Sequence, residues 1–91
     1  MIEFHAAYYR IEDDWYLAKM LDYPGVISQG STLRSARLMI RDALKMMATS
    51  DMEEGRPLPT PNPKAKDRKA EFLETISLKL RVQTGRIRET A

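Results

Sequence analysis

The chain has 91 residues, 43% of them hydrophobic and 31% charged, with a net charge of +2. That length holds one domain with one modest core, and the composition excludes wholesale disorder. No cysteine is present, which excludes a disulfide framework, a thiolate metal site and a cysteine nucleophile.

The N-terminal stretch carries Glu3, Glu12, Asp13 and Asp14 where a signal peptide needs an unbroken apolar core. No apolar run approaches the roughly 20 residues that span a bilayer. The expected compartment is the cytoplasm, with no membrane partner. So small a positive charge neither demands nor excludes nucleic acid.

In residues 2–11, Ile2, Phe4, Ala6 and Tyr8 alternate with Glu3, His5, Ala7 and Tyr9, which predicts a strand. Glu12, Asp13 and Asp14 form a polar link to a second aromatic and aliphatic run over 15–21, and the two runs are expected to pair as a hairpin. Asp22-Tyr23-Pro24-Gly25 predicts a turn, because proline presets φ at its first central position and glycine accepts φ > 0 at the next. A short β segment over Val26, Ile27 and Ser28 is expected to break at Gln29-Gly30-Ser31.

Thr32 is a good N-cap, and beyond it Leu33, Ala36, Ile40, Ala43, Leu44 and Met47 recur at spacings of three and four. This predicts one long helix from about Leu33 to Met52, ending near Gly55 as a C′ residue. Arg56 to Pro63 holds four prolines in eight residues and reads as an extended connector, followed by a basic stretch from Lys64 to Lys69 that suits either a loop or a short helical turn. In residues 75–82, Ile76, Leu78, Leu80 and Val82 alternate with polar residues, as in a half-buried strand. Thr84-Gly85 then turns the chain into a short tail over 84–91. Residues 1–91 form a single domain, with 56–69 as a proline-rich and basic connector inside it.

The order β-β-β-α-β places one helix on one face of an antiparallel sheet of three to four strands, an α+β fold. The segment from Trp15 to Pro61 resembles the HicB antitoxin family. The features that carry the resemblance are an aromatic-rich strand, the turn with Asp22, Pro24 and Gly25, the break with Gln29, Gly30 and Thr32, and a helix ending before Pro57, Pro59 and Pro61. The resemblance implies a compact, degenerate ribonuclease-H-like fold and an antitoxin that binds and blocks HicA, a small RNA-cleaving toxin. Many members of the family carry a further C-terminal DNA-binding module, whereas nine residues follow Val82 here, so no dedicated DNA-binding module is expected. The family often has acidic residues after the threonine; this chain has Arg34 and Ser35, and a reciprocal capping box is expected to be absent.

His5, the only histidine, has no nucleophile motif beside it and reads as a structural strand residue. Because the resemblance implies a ribonuclease-H-like fold, Glu3, Glu12, Asp13, Asp14 and Asp22 are the candidate magnesium ligands. Three of them share one turn, the composition of a solvated loop, and Asp22 suits a side-chain bond to its own turn. No catalytic group, cofactor or metal is therefore expected.

Arg34, Arg37, Arg41 and Lys45 recur at helical spacing along one flank, which suits a solvated face or a contact with an acidic partner or RNA. Leu38, Met39 and Met46 lie away from the core stripe and join the basic residues as the candidate partner-binding set. Tyr8 and Tyr9 point to opposite sheet faces, as do Trp15 and Tyr16, leaving an apolar sheet face that favours a homodimer or higher oligomer. The leading expectation is a toxin-binding antitoxin; the alternative is a small RNA-binding module using the basic helix flank and tail.

Overall fold

A computed structural model describes residues 2–79. Its elements run β1 (Ile2–Glu12), β2 (Trp15–Met20), β3 (Ile27–Gly30), α1 (Leu33–Glu53) and β4 (Phe72–Leu78). The strands form one antiparallel sheet in the order β3-β2-β1-β4, and α1 lies on one face, chiefly over β2 and β3. The α+β outline expected from the sequence is the outline observed.

Alternation in β1 sends Phe4, Ala6 and Tyr8 under the helix, where they are buried with Ala18, Met20, Val26, Ile76 and Leu78. Ala36, Ile40, Leu44 and Ala48 close this core from above. Leu33, Ala43 and Met47 are half-buried at its margin, so the predicted stripe is the stripe observed. Tyr23 seals one end, its ring 5.1 Å from that of Phe4.

The β1–β2 link is shorter than expected. β1 continues to Glu12, leaving Asp13 and Asp14 as the turn, and a register shift between Arg10 and Glu12 makes Ile11 an extra, exposed residue. The Pro24-Gly25 turn forms as predicted, with the Val26 amide donating to the Tyr23 carbonyl at 3.2 Å.

Three expectations need correction. Gln29 and Gly30 do not break β3; they complete it, with Gly30 opposite Tyr16. The first turn of α1 comes so close that a Cβ on Gly30 would collide with the Ser35 hydroxyl and with the backbone of Ser35 and Ala36. Glycine is therefore required there for close approach of strand and helix. Second, a reciprocal capping box is present: the Ser35 amide donates to Thr32 Oγ1 at 3.0 Å and the Thr32 amide to Ser35 Oγ at 3.1 Å. A serine hydroxyl fills the role usually given to a longer acidic or amide side chain. Third, β4 starts at Phe72 rather than Thr75. The predicted strand residues Leu80, Arg81 and Val82, the Thr84-Gly85 turn and the tail over 84–91 lie outside the described residues.

The helix ends as a Schellman motif. The Gly55 amide donates to the Met52 carbonyl at 3.2 Å and the Arg56 amide to the Asp51 carbonyl at 2.8 Å, with Gly55 at φ 74°. The connector that follows has neither helix nor strand, and its basic part contains two turns closed by the amides of Ala65 and Ala70.

Candidate partner-binding surface

The outer face of α1 and the edges of the sheet offer the exposed surface from which a partner contact would be built. Arg34, Arg37, Arg41 and Lys45 are all exposed, but they are not equivalent. Arg37 grips Glu74 of β4 with two donors, Nη2 to Oε2 at 2.6 Å and Nε to Oε1 at 3.1 Å, and Arg41 Nη2 adds a third at 3.1 Å. Tyr8 donates its hydroxyl to the same carboxylate at 2.6 Å. The predicted basic flank is thus split. Its two middle residues tie helix to strand, while Arg34 and Lys45 have no ion pair among the described residues.

Burial alone would raise the Glu74 carboxyl. The bonds from Arg37 and Tyr8 and the two guanidinium charges outweigh that and hold it below its ordinary value. Tyr8 is driven the other way, first by burial and then by donating to a carboxylate.

Leu38, Met39 and Met46 stand 61%, 50% and 66% exposed, so none serves the core. Met39 and Met46 are seven residues apart and share one line along the helix, on the flank opposite Arg37 and Arg41; Leu38 lies on the outward side between. The structure therefore places the predicted apolar set on two adjoining lines rather than one patch. Phe72, Leu73, Trp15 and Ile11 are also exposed, and the rings of Tyr16 and Phe72 are 6.4 Å apart.

The sheet face opposite α1 is less open than the sequence suggests. Ala7 is on that face by alternation and is fully buried. The residues on either side of it on that face, His5 and Tyr9, are each linked to the connector. Tyr9 donates its hydroxyl to Asp67 at 2.7 Å, and the other Asp67 oxygen takes the Lys69 amide at 3.0 Å. At the opposite end the Asp22 carboxylate accepts from the His5 amide at 2.8 Å, from His5 Nδ1 at 2.7 Å and from the Asn62 amide at 2.9 Å. Tyr9, on the sheet face away from α1, is therefore half-buried and engaged.

Asp22, expected to bond its own turn, bonds elsewhere: one buried carboxylate joins β1, the end of β2 and the connector. Burial pushes its carboxyl up, but the bonds from His5 and Asn62 prevail and keep it below the usual range. A third cluster closes the helix end, where Tyr23 donates to Asp51 at 2.5 Å, Arg56 Nε donates to Asp51 at 2.8 Å, and Arg56 also pairs with Glu54.

The carboxylates weighed as magnesium ligands do not gather. Glu3 lies near the start of β1, Glu12, Asp13 and Asp14 at the hairpin tip, and Asp22 at the far end of β2. Among the described residues no group of three or more histidines and acids is arranged to hold a metal ion. Sequence reasoning missed Glu74, Asp67 and Asp51 as partners of the tyrosines, since their spacings of 66, 58 and 28 residues leave no local signal.

No helix among the described residues is long and apolar enough to cross a membrane. No family model and no curated protein matches the chain. Among solved structures it is similar to the crystal structure of the N-terminal domain of Burkholderia pseudomallei antitoxin HicB, with a TM-score of 0.74 and 24% sequence identity. The match covers 87% of this chain and 100% of that one. One helix laid on a four-stranded sheet ordered β3-β2-β1-β4 is thus the fold of a HicB N-terminal domain.

Proposed function

We propose that the domain is an antitoxin-like binding protein that neutralises a small RNA-cleaving toxin of the HicA type by covering its active surface. The observation that carries this reading is the fold likeness, which extends over the whole of a solved antitoxin domain. Covering a nuclease asks for shape and complementary charge and for no catalytic group. The contact is assigned to the outer face of α1, where Leu38, Met39 and Met46 supply apolar and adaptable area and Arg34 and Lys45 supply charge. Arg37 and Arg41 serve it indirectly by fixing the helix to β4. The domain acts in the cytoplasm, as a homodimer or higher oligomer.

The test is co-expression with a HicA-type toxin from a neighbouring reading frame, scored by growth rescue and co-purification. Rescue is expected with the parent chain. Met39→Glu with Met46→Glu is expected to weaken binding at least tenfold, since each removes an apolar contact and buries a charge. Rescue unaffected by these changes would move the contact off the helix, and failure of the parent chain to bind or rescue would overturn the antitoxin reading.

A further inference from the structure

The cations of the helix flank are partly paired with Glu74, whereas those of the connector form no ion pair among the described residues. Lys64, Lys66, Arg68 and Lys69 are all exposed and have no ion pair among the described residues. Two acids lie within 64–71, Asp67 and Glu71. Both oxygens of Asp67 are engaged, one by the Tyr9 hydroxyl and one by the Lys69 amide. The cationic side chains remain outward. The segment is also held in place: the Asn62 amide is bonded to Asp22, Asp67 to Tyr9, and the Glu71 amide to the Tyr8 carbonyl at 2.8 Å. A row of free cations thus sits on a connector fixed to the sheet at both ends.

We infer that this connector is a contact for the phosphodiester backbone of a nucleic acid, bound without base specificity. Three of its four cations are lysines, a residue depleted from protein interfaces, and no large apolar side chain stands among them to act as a hot spot. Phosphate contacts need neither an apolar anchor nor an element that enters a groove. The inference is independent of toxin binding, which is assigned to the outer face of α1.

The test titrates the intact chain with a single-stranded RNA and a duplex DNA of mixed sequence, across a range of salt concentrations. The comparison variant carries Lys64→Gln, Lys66→Gln, Arg68→Gln and Lys69→Gln; a second replaces the three lysines with arginine, and a third carries Arg34→Gln and Lys45→Gln. Both nucleic acids are expected to bind at about 50 mM salt, and the glutamine variant to lose at least tenfold in affinity, with the slope of log K against log salt shallower by about 3. The arginine variant is expected to bind as the parent does, and the helix variant within about twofold of it. The inference is overturned if the parent binds neither nucleic acid at low salt, or if the glutamine variant keeps its affinity and slope. It is equally overturned if the glutamine variant loses a co-purifying protein instead, which would make the connector a protein contact.

Discussion

Three tyrosines in this domain are spent in the same way. Tyr8, Tyr9 and Tyr23 donate to Glu74, Asp67 and Asp51, and each carboxylate is also held by a second donor: the two arginines, the Lys69 amide and Arg56. A carboxylate with two or more donors is stabilised in its charged form, so Asp51, Asp67, Glu74 and Asp22 all titrate below their ordinary values. For groups whose folded pKa is depressed, the stability they contribute is present above the unfolded pKa, near 4, and is lost as pH falls through the folded value. Tyr9 and Tyr23 are pushed up from 10.0 to about 12, by burial first and then by their acidic partners. Their contribution is complete below the unfolded value and disappears as pH rises through the folded one. The expected Tm profile is a plateau between about pH 6 and pH 9, falling below about pH 4 and above about pH 10. A Tm unchanged down to about pH 2 would refute the assignment of these carboxylates.

At the scale of elements, α1 shows how far local rules reach. Its stripe, N-cap and closing glycine are all visible in sequence because each depends on residues within a few positions of one another. Replacing Thr32 with alanine is expected to cost about 1 kcal/mol, since it removes the acceptor of the Ser35 amide; chemical denaturation with unchanged slope would measure it. The capping box is hidden in the sequence because its second member is Ser35, which lacks the usual acidic or amide head. β4 was legible only from Thr75 onward for a different reason. Glu74 occupies a position that faces the helix, opposite Ala6, while Leu73 faces away, opposite Ala7, so residues 73 and 74 reverse the apolar-in pattern. That inversion is tolerable only because Tyr8, Arg37 and Arg41 satisfy the carboxylate, and all three are distant in sequence. Gln29 and Gly30 were misplaced similarly, because what makes glycine fit a strand here is the helix above it.

For the whole molecule, the sheet has a helix on one face and a pinned connector on the other. Tyr9→Phe removes one pin and leaves the core intact, so Tm is expected to fall by only a few degrees. Trypsin cleavage after Lys64, Lys66, Arg68 and Lys69 should nevertheless quicken several-fold, a change followed by mass spectrometry. Unchanged cleavage would mean that the bonds of Asn62 to Asp22 and of Glu71 to Tyr8 hold the connector without the Tyr9 hydroxyl. The sheet order has one further effect. β1 is made first, yet its pairing with β4 requires residues 72–78, and Ile2 lies opposite Leu78. On a ribosome, β1, β2, β3 and α1 can gather while the free edge of β1 still lacks a neighbour, and an open edge invites wrong pairing. Closing it joins segments some 70 residues apart, the slow kind of contact. The sheet is therefore complete only when almost all of the described chain has emerged, and until then one edge of β1 stays unpaired.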